Sequence, residues 1–253
     1  MKKNWYYLLV TITGISLSIL SGCKKNLDPD LLSYNIKQFS YAGSPLGVGR
    51  LVSDTMRFTY NSSGDPVTAI RTAVSTGYPN FFFKYDQHGR FTDLIGGYGH
   101  TINDPIESWT RYFYDNLNRI VRDSFYSFPL IVNGRPTLGE YSGFINSTYT
   151  YDSKDRIIST TRGLFTTTYA YDGQGNLVGT AYDNKINIHR TNKIWMFIDK
   201  DYSVNNPVTA SYVYNSVGLP TKIVPFAGTV DEFMAVAETS LEFSKADIEY
   251  VRR

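Results

Sequence analysis

Carboxylates are the side chains in this sequence that could carry out an enzymatic reaction. Glycoside hydrolysis requires two carboxyl groups about 5–9.5 Å apart, a separation that depends on the fold. Six acids have no evident structural role in the sequence pattern and are the candidates: Glu107, Asp123, Glu140, Asp183, Asp199 and Asp201. Asp199 and Asp201 could also offer oxygen ligands to Ca²⁺. The alternative for each of these acids is a solvated surface group.

Other familiar catalytic patterns are missing from the sequence. Its three histidines, His88, His100 and His189, are widely spaced, and it has no Gly-x-Ser-x-Gly, phosphate-binding glycine loop or His-Glu-x-x-His segment. His88 falls in a turn, where an exposed side chain is expected. The sequence therefore predicts no catalytic set, no cofactor and no metal site.

Two tryptophans are the candidate ligand contacts. Trp109 and Trp195 lie outside the repeated aromatic pairs described below, so the repeat does not explain them. Flat amphipathic rings at a surface can stack on the faces of sugars. The alternative is that both rings pack in the core of a sheet or in cross-strand pairs.

The single cysteine ends a short apolar segment near the start of the chain. Lys2 and Lys3 precede an uncharged run, Trp5–Leu20, whose 16 residues fall short of the ~20 that a membrane span needs. This pattern is typical of a signal peptide over residues 1–22. Its end, Leu20-Ser21-Gly22-Cys23, resembles the lipobox of bacterial lipoproteins. The resemblance implies cleavage before Cys23 and lipidation of Cys23.

The mature chain has no net charge and no free thiol. The signal peptide contains two lysines and no acid, so 23 basic residues remain against 23 acidic ones. This balance gives no electrostatic signature of nucleic-acid binding. Lipidation of Cys23 leaves no cysteine for a disulfide or a thiolate metal site. Residues 23–33 are expected to form a lipidated tether, and Lys24 after the cysteine favours the outer membrane, on either face.

Pairs of aromatic residues, two positions apart and followed by Asp or Asn, recur six times. Side chains at i and i+2 point to the same face of a strand, so the two rings of a pair lie together. The Asp or Asn can start a turn, and a Gly, Asn or Asp four positions after the second aromatic can close it with a left-handed backbone. The units are Phe58-Thr59-Tyr60-Asn61, Phe83-Lys84-Tyr85-Asp86, Tyr112-Phe113-Tyr114-Asp115, Tyr149-Thr150-Tyr151-Asp152, Tyr169-Ala170-Tyr171-Asp172 and Tyr212-Val213-Tyr214-Asn215.

These units predict an all-β fold, an antiparallel meander of hairpins that forms a curved sheet or barrel. One domain over residues 34–253 is expected, with roughly fourteen to sixteen strands. The first and last units have a proline just after the turn and are expected at the ends of the array. The one helix expected is Asp231–Glu238. Loops are expected where Gly, Pro and Asn are frequent: Gly96–Asp104, Leu130–Gly143 and Lys200–Pro207.

The Tyr-x-Tyr-Asp units, followed by Gly-Arg or Asn-Arg as at Gly89-Arg90 and Asn118-Arg119, resemble the YD repeats of Rhs-type proteins. With the lipobox, the chain is similar to a family of uncharacterised lipoproteins from Bacteroidetes-like bacteria that is described as having a porin-like fold. In Rhs-type proteins long arrays enclose a toxin, but six units are too few for that role. Mixed polarity between the paired aromatics favours a soluble sheet or barrel over a membrane-spanning one.

Taken together, these patterns favour a non-enzymatic, lipid-anchored protein of the cell envelope that binds a glycan or a protein partner. A carbohydrate-active enzyme of the envelope is the first alternative. A structural assembly component is the second, and an open sheet edge that pairs with another chain would favour it.

Overall fold

Antiparallel strands build the fold, connected hairpin by hairpin in chain order. The computed structural model describes residues 33–45, 52–226 and 241–253. The segment expected to be a signal peptide (residues 1–22), Cys23 and the helix expected at 231–238 lie outside the described residues. The strands are β1 (Tyr34–Pro45), β2 (Val52–Tyr60), β3 (Pro66–Arg71), β4 (Asn80–Tyr85), β5 (Phe91–Gly97), β6 (Ile106–Tyr114), β7 (Ile120–Ser127), β8 (Leu130–Val132), β9 (Arg135–Thr137), β10 (Gly143–Tyr151), β11 (Ile157–Arg162), β12 (Phe165–Thr168), β13 (Tyr182–Ile186), β14 (Asn205–Pro207), β15 (Ala210–Tyr214), β16 (Pro220–Pro225) and β17 (Leu241–Arg252).

Thirteen of these strands form one sheet, in the order β12-β11-β10-β7-β6-β5-β4-β3-β2-β1-β17-β16-β15. This arrangement confirms the expected all-β antiparallel meander. The order ends at β12 and β15, and the first and last strands of the chain, β1 and β17, pair inside it. The first repeat unit, β2–β3, therefore lies within the sheet, and its expected place at an end was wrong. The last unit, β15–β16, does lie at an end.

Two small ribbons, β8–β9 and β13–β14, lie outside the main sheet. The first falls in segment 130–143, which was expected to be a loop, so the chain has more strands than the sequence suggested. Val132 and Arg135 pair across its tip, and both intervening residues, Asn133 and Gly134, have positive φ. Two left-handed residues in succession match the twist that a two-residue hairpin requires.

All six repeat units form the same turn. In the second unit the Asp86 N–H donates to the Arg90 carbonyl (3.0 Å), and the Gly89 N–H donates to the Asp86 carbonyl (3.0 Å). The Asp86 carboxylate accepts from the N–H groups of His88 (2.9 Å) and Arg90 (3.0 Å). The corresponding four bonds occur around Asn61, Asp115, Asp152, Asp172 and Asn215. The closing residue has positive φ in every unit, as expected: Gly64, Gly89, Asn118, Asp155, Gly175 and Gly218.

The two aromatics of a unit have different roles on the same face of the sheet. The first ring is buried in the main core in three units, at Phe58, Phe83 and Tyr149, and is partly buried against that core in the other three. The second is a tyrosine whose hydroxyl reaches the neighbouring strands. These hydroxyls donate to backbone carbonyls, Tyr60 to Ile36 (2.6 Å), Tyr85 to Pro66 (2.5 Å), Tyr114 to Phe91 (2.8 Å), Tyr151 to Ile120 (2.5 Å) and Tyr171 to Ile157 (3.2 Å). Four of these acceptors begin the return strand of the preceding unit, so each tyrosine joins its hairpin to the one before.

Arginine after the turn makes a second connection between units. Arg119 pairs with Asp115 of its own turn (2.8 Å), and its guanidinium lies over the ring of Tyr151 in the next unit (5.3 Å). In the same way, Arg90 pairs with Asp86 and lies over the ring of Tyr114. Arg156 pairs with Asp152 and lies over the ring of Tyr171. The arginines therefore hold neighbouring hairpins together at the turn end of the sheet.

Replacing Tyr85 by phenylalanine tests the tyrosine connection. The Pro66 carbonyl would lose its donor at a half-buried position, so we expect the free energy of unfolding to fall by about 1–2 kcal/mol. Urea unfolding followed by circular dichroism measures this change. Tyr126→Phe is the matched control, because among the described residues the Tyr126 hydroxyl has no hydrogen-bond partner. Equal losses in both variants would show that the hydroxyl bond is not what stabilises the array.

A short helix, α1 (Lys193–Asp199), covers the aromatic face of the sheet and was not expected from the sequence. Its Trp195 ring lies edge-on to Phe58 (5.5 Å) and Phe83 (5.6 Å). Asn192 caps its first turn, accepting from the Ile194 N–H (2.8 Å), and also donates to the carbonyl of Gly64 in the first repeat turn (3.0 Å). A 3-10 helix, Ile188–Thr191, precedes it. Among the residues that the structure describes, no helix combines the length and apolar character of a membrane span.

Candidate functional site

A cavity of about 1060 Å³ lies between three repeat turns and α1. We call it the turn-end cavity. Its walls are turn and strand-end residues of the second, third and fourth units on one side, and Arg190, α1 and Tyr202 on the other. Those lining residues are Tyr85, His88, Gly89, Arg90, Phe91, Tyr114, Leu117, Asn118, Arg119, Ile120, Tyr151, Lys154, Asp155, Arg156, Arg190, Lys193, Ile194, Met196, Phe197 and Tyr202. Because the turns are equivalent, equivalent positions of each unit line the cavity side by side.

The lining combines apolar side chains with hydrogen-bond donors. Buried Phe91, Ile194 and Phe197 supply apolar surface, and Tyr114 and Tyr151 supply half-buried rings. Guanidinium and ammonium groups supply donors with no acceptor function of their own. An apolar lining with a few polar groups is typical of sites that bind small organic molecules.

Cations outnumber acids around the turn-end cavity. Six lining residues are arginine or lysine, and Asp155 is the one carboxylate among them. Counting the three turn carboxylates that pair with the arginines still leaves two positive charges in excess. Lys154 and Lys193 are exposed, and neither has an ion-pair partner in the described part of the chain. The cavity is therefore suited to a ligand with negative charge.

At the C-terminal end of α1, a buried histidine contacts two carboxylates. His189 Nε2 lies 2.7 Å from Asp199 Oδ2, and Nδ1 lies 3.2 Å from Asp201 Oδ2. The Asn187 amide donates to the same Asp201 oxygen (2.8 Å). Burial opposes charge on the imidazole, but the Asp199 carboxylate and then Asp201 outweigh it and raise the pKa of His189 to about 10. Burial also acts against the charged Asp201, yet the hydrogen bond from His189 and its charge lower the pKa of Asp201 well below its ordinary value.

Lys200 ends α1 in a left-handed conformation beside this cluster (φ 56°). Its ammonium donates to the Ile198 carbonyl (2.8 Å) and lies over the Phe197 ring (4.7 Å). Burial lowers the pKa of Lys200 to about 8. Burial also raises the pKa of Asp123, which accepts a hydrogen bond from the Tyr149 hydroxyl. None of these charged groups is part of the cavity lining.

The two tryptophans that were candidate ligand contacts, Trp109 and Trp195, are both buried in packed clusters. Trp195 is 1% exposed in the main core, and Trp109 is 6% exposed in a second cluster with Phe82 and Ile95. The Trp109 N–H donates to the Asp93 carboxylate (2.7 Å). This is the core-packing alternative considered above, and neither ring lines the turn-end cavity.

The six unassigned acids are not brought together as a catalytic pair in the cavity. Glu107 accepts from the Gly77 N–H (3.1 Å), Asp183 accepts from the Tyr214 hydroxyl, and Glu140 is exposed. Asp199 and Asp201 contact an imidazole, which corrects the calcium interpretation. Among the described residues, no three histidines or acids are grouped so that they could hold a metal ion.

Sequence reasoning missed the cavity and the residues on its α1 wall, although it noted the arginines after the turns. His88 was expected to be an exposed turn residue, and it is exposed at the rim of the cavity. Lys154 at a turn tip and Lys193 at the start of α1 carry no distinctive local pattern. Only the strand order and the docking of α1 bring them to one cavity.

Comparison with known proteins gives structural neighbours at low identity. Neither a protein-family model nor a curated protein matches the chain. A porin-like protein from Bacteroides uniformis is similar with 10% identity and a TM-score of 0.48, over 86% of this chain and 98% of that one. The Photorhabdus luminescens Tc holotoxin pore is similar with 12% identity and a TM-score of 0.24, and the TcdB2-TccC3-Cdc42 complex with 11% and 0.27. The match covers only 11% of each of these two toxin chains.

Proposed function

We propose that this chain is a lipid-anchored, non-enzymatic protein of the cell envelope that binds a glycan in the turn-end cavity. The observation that carries the proposal is the cavity itself, in which rings, guanidinium groups and apolar side chains converge from three repeat units and α1. Its volume of about 1060 Å³ lies slightly above the range of about 300–1,000 Å³ usual for small-molecule sites. Rings offer faces for sugars, and the cationic groups donate hydrogen bonds to hydroxyl or acidic oxygens.

Two features separate this proposal from its alternatives. A hydrolase needs two carboxyl groups about 5–9.5 Å apart, whereas one carboxylate, Asp155, lines the cavity. A structural assembly component is favoured by β12, whose four residues are all exposed at one end of the sheet order. Because β12 is short and rich in threonine, we rank assembly second to ligand binding.

Replacing Cys23 by serine tests the anchor. The serine hydroxyl cannot form the thioether through which bacterial lipoproteins carry their acyl chains, so the variant should lose its anchoring acyl chains. We expect the parent protein to incorporate radiolabelled fatty acid and to sediment with membranes. The variant should incorporate none and leave the membrane fraction once its signal peptide is removed. A Cys23→Ser protein that is still labelled and normally processed would contradict anchoring at this residue.

A glycan array tests the cavity with the lipidated protein in detergent. Leu117, 64% exposed at the tip of the third turn, lines the cavity, so Leu117→Trp should block it and weaken glycan binding at least roughly tenfold. Val217 occupies the same turn position in the sixth unit, is 41% exposed, and is not a lining residue. Val217→Trp should therefore bind as the parent does. No glycan binding by the folded parent, or equal losses in both variants, would contradict the proposal.

A further inference from the structure

We infer that the ligand of the turn-end cavity is the phosphorylated sugar of a glycolipid in the membrane that carries the anchor. The inference rests on the proposed function and identifies the ligand of the same site. Three features carry it, namely the charge on the cavity wall, the mixed lining, and the end of the sheet at which the chain emerges.

The positive charge of the cavity wall indicates that the ligand has an acidic group. Arg90, Arg119 and Arg156 already have carboxylate partners in their own turns. Lys154 and Lys193 do not, within the described residues, and they reach the cavity from opposite walls. An ammonium group without an ion-pair partner can donate to a phosphate in the cavity, and such charge-assisted hydrogen bonds are stronger than neutral ones. A neutral sugar would offer neither lysine an ion-pair partner.

The apolar part of the cavity lining indicates that the ligand has an apolar surface in addition to a phosphate. Phe91, Ile120, Ile194 and Phe197 form surface that an inorganic anion would leave uncovered. A sugar ring covers such surface with its C–H face while its hydroxyls meet the guanidinium groups. The shared chemistry is therefore a sugar phosphate, which could be free in solution or carried on a lipid.

The position of Ser33, the first residue that the structure describes, favours a sugar phosphate carried on a lipid. The Arg253 N–H donates to the Ser33 carbonyl (2.7 Å), and the Arg253 guanidinium donates to the Gly64 carbonyl in the first repeat turn (2.9 Å). Asn192, next to Lys193, donates to the same Gly64 carbonyl (3.0 Å). The described chain thus begins at the turn end of the sheet, close to the cavity wall.

Chain length then limits how far this end can lie from the anchor. Cys23 and Ser33 are ten positions apart in the sequence, and a fully extended chain over that separation spans at most about 36 Å. A lipid at Cys23 therefore keeps the turn end, with the cavity, near the membrane surface. A sugar phosphate in the head group of a lipid in the same membrane is therefore within reach of the cavity.

Hydrogen exchange on the full lipidated protein in vesicles tests this inference. The vesicles are phosphatidylcholine alone, phosphatidylcholine with lipid A (a phosphorylated glucosamine lipid), and phosphatidylcholine with phosphatidylglycerol at matched charge. A further sample adds free glucosamine 1-phosphate to the phosphatidylcholine vesicles. We expect slower exchange of the turn amides in segments 86–90, 115–119 and 152–156 with lipid A only.

Charge reversal supplies the matched variants. Lys154→Glu combined with Lys193→Glu should reduce the lipid A protection by roughly tenfold or more, since both unpaired cations are removed. Lys222→Glu, at an exposed position on β16 away from the cavity lining, should keep the protection. Both lysine side chains of the double variant are exposed, so it is expected to fold.

The outcomes separate this inference from the proposed function. Equal exchange with and without lipid A contradicts the inference. Equal protection by phosphatidylglycerol contradicts its sugar part, and equal protection by the free sugar phosphate contradicts the membrane source. Protein that fails to float with any of the vesicles contradicts the anchor instead. Glycan binding that Leu117→Trp abolishes but the double charge reversal leaves unchanged supports the proposed function and contradicts the inference.

Discussion

Replacement of His189 by glutamine is expected to lower the free energy of unfolding by about 3–5 kcal/mol near pH 6. The imidazolium lies between the Asp199 and Asp201 carboxylates in a buried cluster. Glutamine removes the positive charge and leaves two carboxylates close together with little solvent. Urea unfolding at fixed pH measures the loss. His88→Gln, at an exposed turn position, is the control and should change stability little.

The same variant should also lose a specific pH dependence. The pKa of His189 is raised from 6.5 to about 10 in the folded protein, so its contribution is fully present below pH 6.5 and is lost as the pH rises through 10. The stability difference between the parent and His189→Gln should therefore shrink by up to about 1.4 kcal/mol per pH unit over this interval. Lys200, whose pKa is lowered to about 8, titrates in both proteins, so we compare the difference and not the parent alone. A difference that is constant from pH 6 to 10 would contradict a buried imidazolium.

Replacement of Trp195 by alanine is expected to cost about 3–5 kcal/mol of stability. The ring is 1% exposed and lies edge-on to Phe58 and Phe83, the first aromatics of two repeat units. Its removal opens a cavity between α1 and the sheet. We expect faster tryptic cleavage at Lys193 and Lys200 in this variant, because α1 loses its ring contacts with Phe58 and Phe83.

Trp109 offers the control for that experiment. It is also buried, but in the second cluster with Phe82 and Ile95, which does not include α1. Trp109→Ala should lower stability without a selective rise in cleavage at Lys193 and Lys200. If Trp195→Ala left that cleavage unchanged relative to Trp109→Ala, α1 would not be held to the sheet by Trp195.

The repeat turns could be predicted because their chemistry is local. All four hydrogen bonds around Asp86 lie within five consecutive residues, so the pattern of residue types contains the whole motif. The fifth unit shows the limit of that local information. Its turn around Asp172 forms as expected, but only an isolated bridge, Tyr171 with Leu177, follows it. The position of the turn arginine is taken by Asn176, which binds the backbone of Val204 and Asn205 and directs the chain away from the sheet.

The helix, the β1–β17 pairing and the cavity could not be predicted because they depend on contacts distant in sequence. α1 has seven residues, and its apolar run from Ile194 to Ile198 is also typical of a buried strand. Tyr34 pairs with Arg252, a separation of almost the whole chain. The turn-end cavity combines turns at 86–90, 115–119 and 152–156 with residues between 190 and 202. The turns were predicted from the sequence, but α1 and the location that it shares with the turns were not.

Site-specific photo-crosslinking in the native cell tests the central claim, that the turn-end cavity is the ligand site. A photoreactive phenylalanine analogue is placed at Leu117, which lines the cavity, or at Val217, the same turn position outside it. Irradiation is followed by gel analysis with carbohydrate staining and mass spectrometry. We expect a carbohydrate-containing adduct from position 117 and none from position 217. Equal adducts from both positions, or none from position 117 in folded protein, would contradict the claim.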